Sequence, residues 1–559
     1  MRMLLTASYE KNSRSFIKPQ GGQVFIKKYL EINNDIQVDI IDPQIDNLNF
    51  VKNKFRENYD YFGFYCTYPT IINTSELINE AYKYNSQAVF ILGGPGVMYP
   101  DILSICYADV VIYGEGEKII SELVNLITCK KDLETKKEMI QAIRGNFMIN
   151  VISNGNIYYG NSIYGCDNIC EPEDLNSIIP LSDWEVDLHK KYEIWTENML
   201  QHTYGFPIYI SRGCASLGCN FCSSFEWFRS RKGVRYCSED TAYNLIYDIF
   251  QKMPKVKEIL FEDDNLLSNR KWALAFFDMI YKGLERGEIK KGCRYIIKTR
   301  VDLIDEEIIE KLICLGDVQI NVGVETYSEN VLYELNKTKD AKKYLNLVDT
   351  IFEYQEKYKV QFHCYMIFFT PNSSMSDLMA TINLAINLLC AGIEISCYDS
   401  LLVFPGCKFD EKWKEDRETV NWVEVNNSLY NANIYSEEEI KRRNITEKVE
   451  LPYNFVIKDK RVREIYEKSS KVYKWLFFYY REKFQWKVNT SYRIAIIKVL
   501  AYSIVININI NDSGINKKIT QQIKQLIDVI SKMSSEQKEN MSCEAHVKDF
   551  DRMGDRKAI

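Results

Sequence analysis

Residues 209–224 read YISRGCASLGCNFCSS, and the spacing of Cys214, Cys219 and Cys222 within them governs how the rest of the chain is read. A strand candidate, Ile208–Ser211, runs into this stretch, which puts all three thiols on the loop that follows it. Thiolates are the ligands that iron–sulfur clusters use. Three closely spaced cysteines can bind three irons of a [4Fe–4S] cubane and leave the fourth iron open to chelate a substrate or cofactor. Two plainer possibilities stand beside this one: a zinc site short of a fourth ligand, or three incidental cysteines. Zinc would want a second C-x-x-C or a pair of histidines, and neither is evident.

Downstream of the triplet, strand candidates recur at Glu258–Glu262, Arg294–Lys298, Val318–Val324, Gln361–Phe368 and Glu394–Leu402. Helical patterns separate them, as in Lys271–Leu284 and Asp305–Leu315. Six strand–helix units over residues 206–410 predict a partial (β/α)6 TIM barrel, whose chemistry sits at the carboxyl ends of its strands. Upstream, Met1–Ala7, Val38–Asp42, Tyr61–Cys66, Ala88–Gly93 and Ala108–Tyr113 alternate with amphipathic segments such as Ser75–Tyr84. This predicts a second α/β domain over 1–130, Rossmann-like and doubly wound. Its glycines, Gly93-Gly94-Pro95-Gly96 and Gly114-Glu115-Gly116-Glu117, follow the fourth and fifth strands, at the edge where open sheets bind ligands. Between the two domains, 131–205 reads as a linker: Asn154-Gly155 marks a β-hairpin, and Pro180–Gly205 feeds the barrel. Residues 411–559 read as a mainly helical, aromatic-rich domain, with WLFFYYREKFQW at 475–486 and a polar, mobile tail after Met533.

Bulk properties narrow the function. The chain has 559 residues, 46% hydrophobic and 26% charged, which is ordinary globular composition with cores to build. A net charge of −6 supplies no basic field for nucleic acid. The N-terminus does not read as a signal peptide. The longest apolar stretch, Ile494–Ile506, is broken by Lys498 and falls short of the ~20 residues a bilayer needs; it predicts a buried helix or strand. No membrane partner is expected, and the location is cytoplasmic. Sixteen cysteines are then thiols rather than a disulfide framework. Only four histidines occur, at 189, 202, 363 and 546, so a histidine-rich zinc site is ruled out by supply.

On these residues the chain resembles the radical-SAM superfamily. Arg212-Gly213-Cys214 and Cys219-Asn220-Phe221-Cys222 are similar to its cluster loop, including the aromatic before the last cysteine. The spacing here is C-x4-C-x2-C, one residue longer than the usual C-x3-C-x2-C. FEDDNLLSN (261–269), KTRVDLIDEEII (298–309), VGVETYSENVLYELNK (322–337) and VFPGCKF (403–409) resemble further superfamily segments in the expected order. The resemblance implies that the open iron binds S-adenosylmethionine, whose reductive cleavage gives a 5′-deoxyadenosyl radical. It implies an electron donor such as flavodoxin or ferredoxin, and places Phe221, Asp264, Arg300 and Glu325 near S-adenosylmethionine. A carboxylate suits a ribose diol or ammonium, and arginine suits a carboxylate; a structural ion pair at a strand end is the alternative for each.

The first domain resembles the cobalamin-binding domain of class B radical-SAM enzymes. Cys66-Thr67, Gly93-Gly94-Pro95 and Tyr113-Gly114-Glu115-Gly116-Glu117 stand where that family lines the slot for the corrin's nucleotide tail. This implies cobalamin contacts at Thr67, Gly93, Gly94, Gly114, Glu115 and Gly116. The D-x-H-x-x-G of members with a lower axial histidine is missing, because no histidine precedes His189. The resemblance implies methylation of an unactivated carbon in a small-molecule or peptide substrate. Rearrangement or cyclisation without methyl transfer, and a non-catalytic corrinoid or iron–sulfur protein, are the alternatives. No catalytic residue in the narrow sense is assigned.

Overall fold

The computed structural model describes residues 1–7, 18–67, 70–98, 108–112, 114–129, 149–153, 156–158, 174–200, 204–215, 218–222, 234–400, 403, 407–409, 417–420, 451–483, 491–509 and 513–541. Strands β1 (Arg2–Ala7), β2 (Gln37–Ile41), β3 (Tyr61–Tyr65), β4 (Val89–Gly93) and β5 (Val110–Ile112) pair in parallel in the order β2-β1-β3-β4-β5. β1, β3, β4 and β5 are short apolar runs buried almost throughout, as parallel strands under helices must be, while the edge strand β2 is part-exposed. Phe62, Phe64 and Phe90 stack across β3 and β4, the closest ring centroids 5.2 Å apart. Helices α1 (Gly21–Asn33), α2 (Leu48–Arg56), α3 (Ile71–Tyr84) and α4 (Glu117–Cys129) make the crossovers. The strand order reverses at β1, which places a ligand crevice beyond the carboxyl ends of β1 and β3.

The predicted hairpin is present as β6 (Ile149–Ser153) and β7 (Asn156–Tyr158), although its Asn154-Gly155 turn lies outside the described residues. It extends the N-terminal sheet: β6 pairs antiparallel with β5, giving seven strands. The expected linker over 180–205 is corrected. Most of it is an 18-residue helix, α5 (Asp183–Leu200), held to the first domain by charge and hydrogen bonding. Glu185 pairs with Lys28 at 2.6 Å, Lys191 pairs with Asp46, and Tyr192 donates to Asp42.

The second sheet has six parallel strands in the order β8-β11-β12-β13-β14-β15, read from its edge. They are β8 (Gly205–Ile208), β11 (Glu258–Phe261), β12 (Arg294–Arg300), β13 (Asp317–Glu325), β14 (Gln361–Phe369) and β15 (Glu394–Ser400). The helices between them are α6 (Glu239–Lys252), α7 (Arg270–Glu285), α8 (Glu306–Ile313), α9 (Glu329–Glu334), α10 (Ala341–Tyr358) and α11 (Met375–Cys390). Their starts are capped as the sequence dictates: Ser238, Asp305, Ser328 and Asp340 accept from the first turn, and Ser374 with Asp377 forms a capping box. Along β12, Tyr295, Ile297 and Thr299 are buried beneath helices while Arg294, Lys298 and Arg300 take the other face.

The first barrel strand is Gly205–Ile208, three residues earlier than expected. Pro207 is tolerated because β8 is an edge strand and needs no second set of ladder bonds. Ser211–Arg212 is instead a two-residue strand, β9, antiparallel to β10 (Arg235–Tyr236). Beyond the barrel, β16 (Arg417–Val420) pairs with β17 (Leu451–Phe455), and three helices follow: α12 (Lys460–Lys483), α13 (Ser491–Asn509) and α14 (Ser513–Met541). Helix α14 runs past Met533, where a polar tail was expected to begin. Helix α13 is long and apolar enough to cross a membrane by length and composition, and 61% of that span is buried inside the fold.

Candidate functional site

The cysteines lie on the loop closed by the β9–β10 ribbon, at the carboxyl end of the barrel. Residues 218–222 are pinned from two sides. Asn220 donates its backbone N–H to Leu335 O at 2.9 Å and accepts from Phe409 N at 2.9 Å, and Asn336 donates to Gly218 O at 2.8 Å. A turn from Cys222 N to Cys219 O orients the last two thiols. All three cysteines are free thiols; Cys219 is buried and the other two are half-buried. Asn265 points its amide at Cys214 Sγ and Arg300 its guanidinium at Cys219 Sγ, each at 3.5 Å. Among the described residues no three His, Cys, Asp or Glu side chains gather as a single metal ion requires. A cluster takes each thiolate on a different iron and asks for no such convergence.

The other barrel candidates fall around this loop in different states. Phe221 is half-buried and packs on the core. Arg300 grips Asp302 with two bonds of 2.8 and 2.9 Å and also donates to Lys337 O, so its fork is already occupied. Glu325 is buried in an ion pair with Lys337 at 2.6 Å. Burial works against the Lys337 charge, but Glu325, Tyr344 and Cys219 together outweigh it and the pKa rises. The pair needs room at β13: a Cβ on Gly323 would lie 2.5 Å from Glu325 Oε1 and 2.8 Å from Lys337 Nζ. Glu325 itself sits at φ 67°, uncommon for a residue with a side chain. Asp264 is exposed, whereas its neighbour Asp263 is buried. Asp263 accepts from Ile210 N at 3.1 Å and from the backbone and hydroxyl of Ser211; burial pushes its carboxyl up to about 7 against those bonds.

Between the sheets lies a cavity of about 360 Å³. Gly93, Gly94, Gly114, Glu115 and Gly116 line one side, and Tyr209, Ser211, Arg212, Asp263 and Asp264 line the other. Its volume is within the usual range for a small-molecule site. Gly94 has φ 97°, and a Cβ there would be 2.5 Å from Cys66 O, so only glycine fits. Thr67 stands beside this rim without lining the cavity; its backbone N–H donates to Thr70 Oγ1 at 3.0 Å. Glu115 is turned toward the barrel: its carboxylate meets Arg212 at 2.9 Å and also pairs with Arg235. Burial raises the Glu115 carboxyl above its ordinary value, against the pull of Arg212. A larger cleft, about 570 Å³, lies at the opposite, amino-terminal end of β13–β15, away from the thiols.

Comparison with known proteins places this geometry. Residues 208–385 match the family described as the radical SAM superfamily, and residues 16–124 match the B12 binding domain. The chain carries a radical SAM domain and a B12-binding domain. The fold is shared with the cobalamin-dependent S-adenosylmethionine radical enzyme OxsB (TM-score 0.67, 12% identity, 98% of this chain and 82% of that one). It is also shared with the radical S-adenosylmethionine methyltransferase TsrM from Kitasatospora setae (TM-score 0.57, 15% identity, 75% and 78%). A curated relative, the anaerobic magnesium-protoporphyrin IX monomethyl ester cyclase of Cereibacter sphaeroides, is 25% identical over 281 residues, 48% of this chain. The chain spans 40% of that relative's length.

A radical SAM domain implies a [4Fe–4S] cluster and S-adenosylmethionine, and a B12-binding domain implies cobalamin. The residues fit these groups: three free thiols with sulfur-directed donors on one side, and a glycine-rimmed, largely apolar cavity on the other. Among the described residues no histidine lines that cavity. His189 is occupied elsewhere, 2.7 Å from Tyr204 OH and stacked on Phe206. Sequence reasoning missed Asn265, Lys337, Asp263 and Arg235. The first three stand inside or beside quoted motifs, so their neighbourhood was visible and their contacts were not. Arg235 carried no signal, because its place depends on pairing with Arg212.

Proposed function

We propose that this radical SAM chain methylates an unactivated carbon of a small-molecule or peptide natural product. One observation carries the proposal: the cavity rimmed by Gly93, Gly94 and Gly114 is walled on its barrel side by Ser211 and Arg212, the residues that lead directly into the cysteine loop. That arrangement supports two cofactors meeting over a single substrate. When bound, the cluster and S-adenosylmethionine supply a hydrogen-abstracting radical, and cobalamin supplies the methyl group. Cys214, Cys219 and Cys222 would hold the cluster, with Asn265 and Arg300 donating to its sulfurs. Asp264 offers an exposed carboxylate to a ribose or ammonium. Arg300 and Glu325, committed to Asp302 and Lys337, would support the site from beneath. Gly93, Gly94, Gly114 and Gly116 would admit the corrin's nucleotide tail, with Thr67 at its edge. A low-potential donor such as flavodoxin or ferredoxin would supply electrons, and a reducing cytoplasm suits the free thiols.

The test is anaerobic reconstitution with iron, sulfide and hydroxocobalamin, followed by reductant and S-adenosylmethionine. 5′-Deoxyadenosine should form, and the product should gain one methylene unit in mass. A product of rearranged connectivity without that gain favours the second reading, cyclisation, which the cyclase relative supports. Absence of 5′-deoxyadenosine from protein holding a full cluster overturns both.

A further inference from the structure

The R-G-C and G-E-G-E motifs stand about a hundred residues apart, yet their charged side chains form one cluster. Arg212 meets Glu115 at 2.9 Å and Glu117 at 2.5 Å, and Arg235 also pairs with Glu115. The side chains are 12%, 6%, 3% and 17% exposed for Arg212, Glu115, Glu117 and Arg235. Arg212 and Arg235 lie directly opposite each other in the β9–β10 ribbon, a placement that like charges oppose. Glu115 and Glu117 likewise crowd one turn. Each like-charged pair is tolerable only because it faces the other, since a buried charge without its partner is strongly unfavourable.

The ribbon's place in the fold gives the cluster a role. All three cysteines fall in the chain between β9 and β10, and two residue pairs join those strands at its neck. The ribbon lies outside the ladder of the six-stranded sheet; Asp263 ties its Ser211 to the barrel, and the glutamates hold its Arg212–Arg235 pair. The glutamates sit on the turn that borders the cavity. A ligand that orders that turn therefore orders the neck of the cysteine loop.

We propose that Glu115, Glu117, Arg212 and Arg235 are a positioning latch through which cobalamin binding and cluster binding strengthen each other. This rests on the two-cofactor reading above and reassigns Glu115 from holding cobalamin to holding the cluster loop. Coupling between sites is reciprocal, with factors of roughly 5–150 being typical.

Hydroxocobalamin is titrated by visible absorbance into the cluster-loaded full chain and into the same protein stripped of iron. The loaded protein should bind at least about fivefold tighter. In Glu117→Gln that ratio should fall toward one. The Glu117→Gln/Arg212→Gln double variant should lose no more coupling than either single variant, because the two groups act as a unit. Arg212→Lys, which keeps the charge, should retain part of the ratio and serves if the neutral variants fold poorly. A merely structural role would weaken both titrations alike and leave the ratio unchanged, which overturns the latch. A wild-type ratio of one also overturns it while leaving the two-cofactor reading intact. A wild-type protein that binds no hydroxocobalamin overturns both.

Discussion

The N-terminal sheet faces its cavity with glycines of its strands and of the turns that follow them: Gly63, Gly93, Gly94, Gly114 and Gly116 line it with apolar side chains between them. The barrel faces its cysteine loop with side chains that carry charge or donate hydrogen bonds: Asn265, Arg300, Lys337 and Glu325. The barrel sheet is parallel, as are β1–β5 of the N-terminal sheet, and both line their sites at the carboxyl ends of those strands. One makes its site by leaving atoms out, the other by aiming them. The first should therefore fail when bulk is added and the second when a functional group is removed.

The sharpest break is at the thiols. Cys222→Ala removes one of the three proposed cluster ligands, so 5′-deoxyadenosine formation should fall to that of a protein-free control. Cobalamin should still bind, more weakly. Undiminished 5′-deoxyadenosine would mean that the triplet is not the cluster site. Next comes the buried pair beneath the loop. Lys337→Met leaves Glu325 buried without a partner and should cost about 3–5 kcal/mol in urea unfolding. Adding Glu325→Leu should recover most of that loss, because a well-packed apolar pair can replace a buried ionic one. A double variant as unstable as the single would show that the carboxylate has work besides pairing.

On the other side, Gly94→Val tests bulk. A Cβ at φ 97° and 2.5 Å from Cys66 O should cost about 1–3 kcal/mol in strain and deplete retained hydroxocobalamin. Iron and sulfide content should fall far less than cobalamin does, by no more than the coupling between the two sites. A variant that loses its cluster and keeps cobalamin would reverse the comparison.

The same contrast accounts for what the sequence discloses. Cysteine spacing and glycine turns are local, so the thiol loop and the cavity rim were legible. So was the alternation of strands and helices, because buried parallel strands are short apolar runs. Contacts between distant segments were not legible. Helix α5 looked like a linker because its anchors, Lys28, Asp42 and Asp46, lie about 150 residues upstream. The strand at Gly205–Ile208 was placed late because Gly205 and Pro207 read as breakers, and only its edge position excuses them. Nothing local separates Asp263 from Asp264: that Asp263 turns inward to Ser211 while Asp264 stays exposed depends on a contact about 50 residues away in the chain.

Asp263 offers the subtlest probe, since it ties the strand entering the thiol loop to the end of β11 within the shared cavity. Its carboxyl stands at about 7 rather than 3.8, chiefly through burial. An acid with a raised folded-state pKa holds its proton more tightly when folded. Stability therefore falls as pH rises from about 4 to about 7 and is flat on either side. Asp263→Asn removes that dependence. The variant's Tm minus the wild-type Tm should climb across this window, by the equivalent of a few kcal/mol at most. Taking the difference matters: Asp42, raised to about 6, shares the sign, and His189, lowered to about 3, opposes it, but both remain in the two proteins and cancel. A flat difference would mean that Asp263 stays ionised throughout. The hydrogen bonds from Ser211 and Ile210 would then outweigh its burial, and the barrel's preference for aimed polar groups would extend into the cavity wall.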